Sequence, residues 1–219
     1  MKNLGAEYEN LDQKVYQVIK DLIEDRTLLP GQKIPQEKLA KDLGISRTPL
    51  ISALKFLEHE KLIEVQPRRG FFVRLFTTKE MIGIFEIREV LEGLAARRAA
   101  QCITDENCKI LSQIFSEFKD QKHITDISAY AKADRKFHTM ITKTASREFL
   151  TTMLQTFNII SLAYQNVPRE GLIMHPDDTM KDHTQIIEAI CNRDPEKAEN
   201  LMKLHFKKSI DILEQQIDG

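Results

Sequence analysis

Residues Gln36–Arg74, QEKLAKDLGISRTPLISALKFLEHEKLIEVQPRRGFFVR, decide how the rest of this chain is read. Leu39, Ala40 and Leu43 share one face of a short helix, and Gly44 offers a tight turn after it. Beyond the turn Leu50, Ala53, Leu54 and Leu57 recur at helical spacing, so a second helix must bury that face. Ser46 stands at the N-cap position, where a hydroxyl can accept from an otherwise unpaired amide. The opposite side of this helix carries Arg47, Thr48, Ile51, Ser52 and Lys55, a set suited to a major groove. Leu62–Val65 and Phe71–Arg74 are rich in β-branched and aromatic residues, and Pro67-Arg68-Arg69-Gly70 between them reads as a hairpin tip. Two adjacent arginines at such a tip suit a phosphate backbone or a minor groove. A helix-turn-helix followed by a β-wing is the winged-helix arrangement of DNA-binding domains. A small helical domain with an incidental hairpin, or a winged helix that binds protein, is the alternative.

Upstream, Leu11–Arg26 places Val15, Val18, Ile19, Leu22 and Ile23 on one stripe, an amphipathic helix that ends before the Leu29-Pro30-Gly31 turn. Three helices and a wing therefore fill a first domain, residues 1–75. From Thr78 onward the pattern is helical, with helices expected near 78–101, 104–122, 126–144, 147–166, 178–193 and 195–217. Thr77 or Thr78, Thr104 and Asp194-Pro195-Glu196 supply helix-start signals. Six amphipathic helices with short connections make a second, all-α bundle domain over residues 78–219. The fold class expected is thus mainly α.

The 219 residues are 42% hydrophobic and 30% charged, ordinary for a globular chain. No apolar run approaches the ~20 residues of a membrane span, and the polar N-terminus does not resemble a signal peptide. A cytoplasmic protein with no membrane partner is expected. Cys102, Cys108 and Cys191 are odd in number and form no CxxC, which suggests buried or reduced thiols rather than a disulfide framework. The net charge is −1. Lys33–Arg74 holds nine basic against five acidic residues, a local +4 that leaves −5 elsewhere. A basic module on an acidic body confines phosphate attraction to one surface.

The stretch LLPGQKIPQEKLAKDLGISRTPLISALKFLEHEKLIEVQPRRGFFV resembles the GntR family of bacterial transcription regulators, whose string runs through PG, LA, SR-P, AL, L and RG-FV. The resemblance implies double-stranded operator DNA as partner, with Ser46, Arg47 and Thr48 at base edges or phosphates and the Arg68-Arg69-Gly70 tip in the minor groove. Ser52 and Lys55 lie on the same exposed side. One departure stands out: the family's arginine-glutamate pair is Ile51-Ser52 here, and an apolar residue 51 can touch only a thymine methyl.

In the helical half, Asp134 and His138 are i and i+4 and share a face with Ile127, Tyr130, Phe137 and Ile141. His183 lies with Ile186, Ile187 and Ile190, and His205 with Ala198, Leu201, Met202 and Ile212. Taken singly, each histidine reads as a hydrogen-bonded core residue. Together with the carboxylate they point to a divalent metal ion, which accepts neutral imidazoles and is offset by the carboxylate's charge. His59, His123 and His175 lack this setting and are expected at the surface or in loops.

This half resembles the FCD effector domain of the FadR-type branch of GntR regulators. FEIREVLEGLAARRAA matches its opening helix, DRKFH its metal-binding helix and KDHTQIIEAICNRDPEKAENLMKLHF its last two helices. The resemblance implies Asp134, His138, His183 and His205 as ligands of a transition ion, with zinc and nickel the foremost choices. It also allows Arg88 to clamp a small carboxylate effector through a forked pair of hydrogen bonds; a structural Arg88–Glu92 pair on the helix surface is the alternative. Asn158 is a further effector-pocket candidate. The expected function is a ligand-responsive regulator, a repressor by default, that binds a pseudo-palindromic operator as a homodimer. A metal-dependent enzyme acting on a small carboxylate, or a regulator with a purely structural ion, are the rival readings. No general base or nucleophile is assignable beside the ligands, which weighs against the enzyme.

Overall fold

The computed structural model describes residues 6–145, 150, 153, 154, 157 and 172–218, with side chains from Leu11 onward. The chain divides into two compact units, one ending at Phe76 and the other beginning at Thr77.

The first unit holds α1 (Ala6–Glu24), α2 (Gln36–Asp42), α3 (Arg47–His59), β1 (Ile63–Gln66) and β2 (Gly70–Val73). Val15, Ile19 and Ile23 of α1 are buried, and α1 packs on α3. From α3 come Leu50, Ala53, Leu54 and Leu57, all fully buried, as the heptad-like spacing demands. Each buried leucine contributes about 1.5–3 kcal/mol relative to exposure, so four apolar residues in about two turns fix the orientation of the helix's outer face. Tyr16 donates to Glu60 Oε2 at 2.7 Å and accepts from Lys20 Nζ at 2.9 Å, which ties α1 to the end of α3. Gly44 turns the chain between α2 and α3 at φ +65°, a conformation that costs glycine little.

β1 and β2 pair antiparallel from Ile63↔Val73 to Gln66↔Gly70. The strands are each shifted by one residue from the sequence expectation. Residues 31–34 also lie against β2: Gly31 N donates to Val73 O, and Ile34 N to Phe71 O, both at 2.9 Å. Periodicity could not reveal this third segment, because it is too short to alternate. Ser46 is the N-cap residue of α3 with extended backbone, but its hydroxyl makes no cap hydrogen bond. That corrects the expected hydroxyl cap and leaves the side chain exposed.

The second unit holds α4 (Thr78–Cys102), α5 (Asp105–Gln113), a 3₁₀ turn (Ser116–Phe118), α6 (Ile127–Ala145), α7 (Pro176–Cys191) and α8 (Pro195–Asp218). Thr77 and Glu80 form a reciprocal capping box at the start of α4. The Thr104 hydroxyl accepts from Asn107 N at α5, and Asp194 Oδ1 accepts from Lys197 N at α8. α4 packs along α8 and against α6, with α7 beside α8. Small residues permit this: Ala95, Ala96, Ala99 and Ala100 are fully buried, and a side chain at Gly93 would collide with Lys203 of α8.

One expected helix, 104–122, is broken. Leu111, Ile114, Phe115 and Phe118 keep the apolar face and are all buried. The regular helix nevertheless stops at Gln113, whose carbonyl accepts from Ser116 Oγ at 2.8 Å, a local competitor of the helical ladder. Of the expected helix 147–166 only residues 150, 153, 154 and 157 are described, each helical, and the site candidate Asn158 lies outside the described residues. No helix among the described residues is long and apolar enough to cross a membrane.

Candidate metal centre and DNA-reading surface

Asp134 and His138 stand one turn apart on α6, His183 on α7 and His205 on α8. The structure brings them together. The three histidines are 3%, 0% and 5% exposed, and each offers a ligand nitrogen within 4.8 Å of the others. Asp134 Oδ1 lies 3.4 Å from His183 Nε2 and 3.9 Å from His138 Nε2.

The orientation of each ring is set from behind. Glu92 Oε2, on α4, meets Nδ1 of His138. The Tyr130 hydroxyl meets Nδ1 of His183 at 3.1 Å, and is itself 2.8 Å from Thr179 Oγ1. Asp182 Oδ2 faces Nδ1 of His205 at 3.6 Å. Nδ1 of His138 and of His183 is hydrogen-bonded from outside the cluster, and a carboxylate oxygen stands beside Nδ1 of His205, which leaves Nε2 as the nitrogen each ring can offer inward. Apolar rings fill the remaining sides: Phe115 stacks on His183 at 4.8 Å, and Phe137 and Phe206 flank the cluster.

At His183 and His205 electrostatics favour the neutral imidazole. Burial pushes the His183 pKa well below its ordinary value, helped by the charges of His205 and His138. Burial also lowers His205, against the opposing pull of Asp182. Glu92 goes the other way from a typical buried acid: burial raises its pKa, but Arg88 and His138 more than offset this and bring it to about 2. His183 Nε2 is buried with no hydrogen-bond partner among the described residues, an arrangement that normally costs about 1–3 kcal/mol. Three imidazoles and one carboxylate around such an orphaned nitrogen fit a divalent transition ion in donor chemistry and number.

Arg88 is placed differently from either expectation. Its Nη2 and Nε reach Glu92 Oε1 at 2.7 and 2.8 Å, so the Arg88–Glu92 pair exists. It is buried, with the two side chains 7% and 2% exposed, and not on the helix surface. The guanidinium also sits over the ring of Phe206, 4.7 Å from its centroid. Sequence reasoning missed Glu92, Asp182 and Tyr130 as partners of the histidines. Glu92 is one turn from Arg88, which offered a complete local explanation for it.

The remaining histidines are peripheral. His59 is exposed, His123 is an exposed partner of Asp177, and His175 accepts from Asp177 N at the start of α7. Among the thiols, Cys102 is exposed, while Cys108 and Cys191 are half-buried; all three are free, as expected of thiols outside a disulfide framework.

In the first unit the groove-facing candidates form an exposed surface. Ser46, Arg47, Thr48, Lys55, Arg68 and Arg69 are exposed, and Ser52 and Gly70 half-exposed. Arg47 Nη2 lies 2.7 Å from Glu37 Oε1 across the turn. At the wing tip Arg68 adopts φ 63° and Gly70 φ 101°, and Arg69 covers the ring of Phe72 at 5.1 Å. Ile51, half-exposed, fills the position of the family's arginine.

A winged helix-turn-helix with a polar, basic recognition face, followed by an all-α domain with an inward-facing histidine cluster, is the build of a two-domain transcription regulator. The family models agree: residues 11–73 match the bacterial regulatory proteins of the gntR family, and residues 83–208 match the FCD domain. The chain belongs to the GntR family of transcription regulators, carries an FCD domain and is not an enzyme. It is 26% identical to the uncharacterized HTH-type transcriptional regulator YdhC of Bacillus subtilis (strain 168), across 93% of this chain and 91% of that protein. With the HTH-type transcriptional repressor RspR of Escherichia coli (strain K12) it shares 22% identity, across 94% and 90%. The fold is shared with E. coli McbR/YncC at TM-score 0.77 and 22% identity, covering 94% of this chain and 98% of the other.

Proposed function

We propose that this chain is a cytoplasmic, ligand-responsive repressor of the FadR-type branch. In this reading residues 1–75 dock on a pseudo-palindromic operator as half of a homodimer, and residues 78–219 hold the sensor. Ser46, Arg47, Thr48, Ser52 and Lys55 meet the major groove, and Arg68, Arg69 and Gly70 the neighbouring minor groove. Their common exposure on α3 and the wing supports that assignment. Asp134, His138, His183 and His205 would hold zinc or nickel.

The observation that carries the sensor reading is the convergence of three buried imidazoles, each offering a nitrogen within 4.8 Å of the others, with Asp134 Oδ1 3.4 Å from His183 Nε2 and 3.9 Å from His138 Nε2. A bound ion supplies open coordination positions for a small carboxylate effector. Arg88 is already engaged by Glu92, which favours an effector held at the ion over one forked onto that guanidinium. The effector switches the protein only by binding one arrangement of the dimer better than the other.

Fluorescence anisotropy on duplexes from the chain's own upstream region tests this. Binding should fall steeply with salt, and candidate carboxylates should release the DNA from metal-loaded protein but not from protein stripped with a chelator. No binding to any duplex at low ionic strength removes the regulator mechanism. Release that ignores the metal leaves the ion a structural role only.

A further inference from the structure

Asp182 belongs to α7 and lies one residue before His183, yet it serves a different ring. Its Oδ2 and the Nδ1 of His205 are both buried and both without a hydrogen-bond partner, and they face each other at 3.6 Å. Its other oxygen, Oδ1, accepts from Lys208 Nζ at 2.6 Å. His205 and Lys208 are three apart on α8, so one carboxylate stands between two side chains of a single helix face, bonded to the lysine and facing the imidazole.

We propose that Asp182 is a positioning residue that holds His205 in its Nδ1–H tautomer, and that Lys208 dictates which carboxylate oxygen does so. The inference rests on reading the histidine cluster as a metal centre, because its consequence is a lone pair at Nε2 turned toward that cluster. A neutral imidazole carries one N–H, and beside a carboxylate that accepts and never donates, the proton sits on Nδ1. Outer partners of this kind fix ring orientation and ligand basicity in metal sites generally. Lys208 matters because an ammonium has donors and no acceptor.

This arrangement predicts an unusual order among substitutions. In Asp182→Asn the amide oxygen must stay with Lys208, so the NH₂ group faces His205. Nδ1 then has to accept, the ring proton moves to Nε2, and the inward lone pair is lost. Asp182→Ala imposes no tautomer. The asparagine variant, closer in shape, should therefore be the poorer metal binder. Were Asp182 only a packing or charge-balancing residue, alanine would be the more damaging change.

The test uses the full chain with ¹⁵N-labelled histidine, stripped of metal and kept above the ordinary imidazole pKa. Long-range ¹H–¹⁵N correlation spectra report the His205 tautomer, and competition with a chromophoric chelator reports zinc affinity. We expect Nδ1–H in the wild type, Nε2–H in Asp182→Asn, and a zinc affinity about 10–100-fold lower in that variant, with Asp182→Ala in between. Adding Lys208→Met to Asp182→Asn frees the amide to rotate, and should restore both the tautomer and most of the affinity. An unchanged tautomer in Asp182→Asn, weaker binding by the alanine variant, or no rescue by Lys208→Met overturns the proposal. If the wild type takes up no zinc, the metal reading fails, while the tautomer comparison in metal-free protein still decides the role of Asp182.

Discussion

Glu92 of α4 and His138 of α6 are joined through Oε2 and Nδ1, and the second oxygen of Glu92 takes both Nε and Nη2 of Arg88. The same carboxylate thus neutralises a buried guanidinium and orients a member of the histidine cluster. Arg88 is 6% exposed and Glu92 2%. At that depth neither charge survives without the other, since an unpaired buried ion costs several kcal/mol. The ion pair that a helix surface would make almost neutral in stability becomes, in the core, a condition for the shape of the site.

Removing Glu92 should accordingly be severe. Glu92→Ala strands Arg88 and is expected to cost about 3–5 kcal/mol, whereas a joint Arg88→Met, Glu92→Met replacement should recover much of that loss. Urea denaturation of the metal-free protein measures both. A cost for Glu92→Ala no larger than that of an exposed pair would mean the guanidinium finds another partner.

The same carboxyl makes acid stability predictable in sign. In the fold its pKa is about 2, below the ordinary 4.5. The unfolded chain therefore binds the proton first, and the contribution is complete above the unfolded value and lost as pH falls through 4.5 toward 2. The urea midpoint of the wild type should drop more steeply across that window than the midpoint of Glu92→Gln. Parallel curves would assign the acid sensitivity to other groups.

Metal removal gives a third expectation. Zinc at 100 times its dissociation constant should stabilise the wild type by about 2.7 kcal/mol, which for a chain of this size raises Tm by roughly 5–10 °C. His183→Ala deletes the ring nearest Asp134 and should abolish that increment. Differential scanning fluorimetry with and without zinc reads it directly, and an equal zinc shift in the variant would place the ion elsewhere.

Much of this was legible in the chain. The apolar spacing of Leu50, Ala53, Leu54 and Leu57 required a buried face on α3, and all four are fully buried. Asp134 and His138 declared their shared face by four-residue spacing, and His183 and His205 sat amid apolar neighbours. The outer partners were not legible. Glu92, Tyr130 and Asp182 contact histidines 46, 53 and 23 residues away in sequence, and such pairings depend on helix packing rather than on local pattern. The break after Gln113 was hidden for a different reason: Leu111, Ile114, Phe115 and Phe118 keep a helical apolar spacing through it, so periodicity reads straight across. Ser46 stands where a cap belongs, yet residue type could not tell that its hydroxyl stays uncommitted to the helix amides.

On the DNA-reading unit, Arg47 and Glu37 form an exposed pair at 2.7 Å, with side chains 71% and 84% exposed. Exposed pairs are worth at most about 1 kcal/mol, so Glu37 holds the guanidinium only loosely. Arg47→Ala should weaken operator binding by about 1–3 kcal/mol if the guanidinium makes a forked base contact. Glu37→Gln should tighten it slightly at low salt, because the competing carboxylate is gone. Anisotropy titrations at two salt concentrations separate these effects, and unchanged binding by Arg47→Ala would take that residue off the recognition surface.

The wing offers a prediction in which stability and function move apart. Arg68 is a non-glycine residue at φ 63°, a left-handed conformation that costs an L-residue roughly 1–2 kcal/mol. Arg68→Gly relieves that strain, and against it stands the extra freedom glycine carries in the unfolded chain. The fold should therefore be no less stable, and up to about 1 kcal/mol more so. DNA binding should fall instead, with the slope of log K against log salt shallower by about 1, the signature of one lost phosphate contact. Arg69, laid over Phe72, cannot serve as substitute without leaving that ring. A variant that loses stability and keeps its salt slope would show that Arg68 supports the hairpin and leaves the phosphates to others.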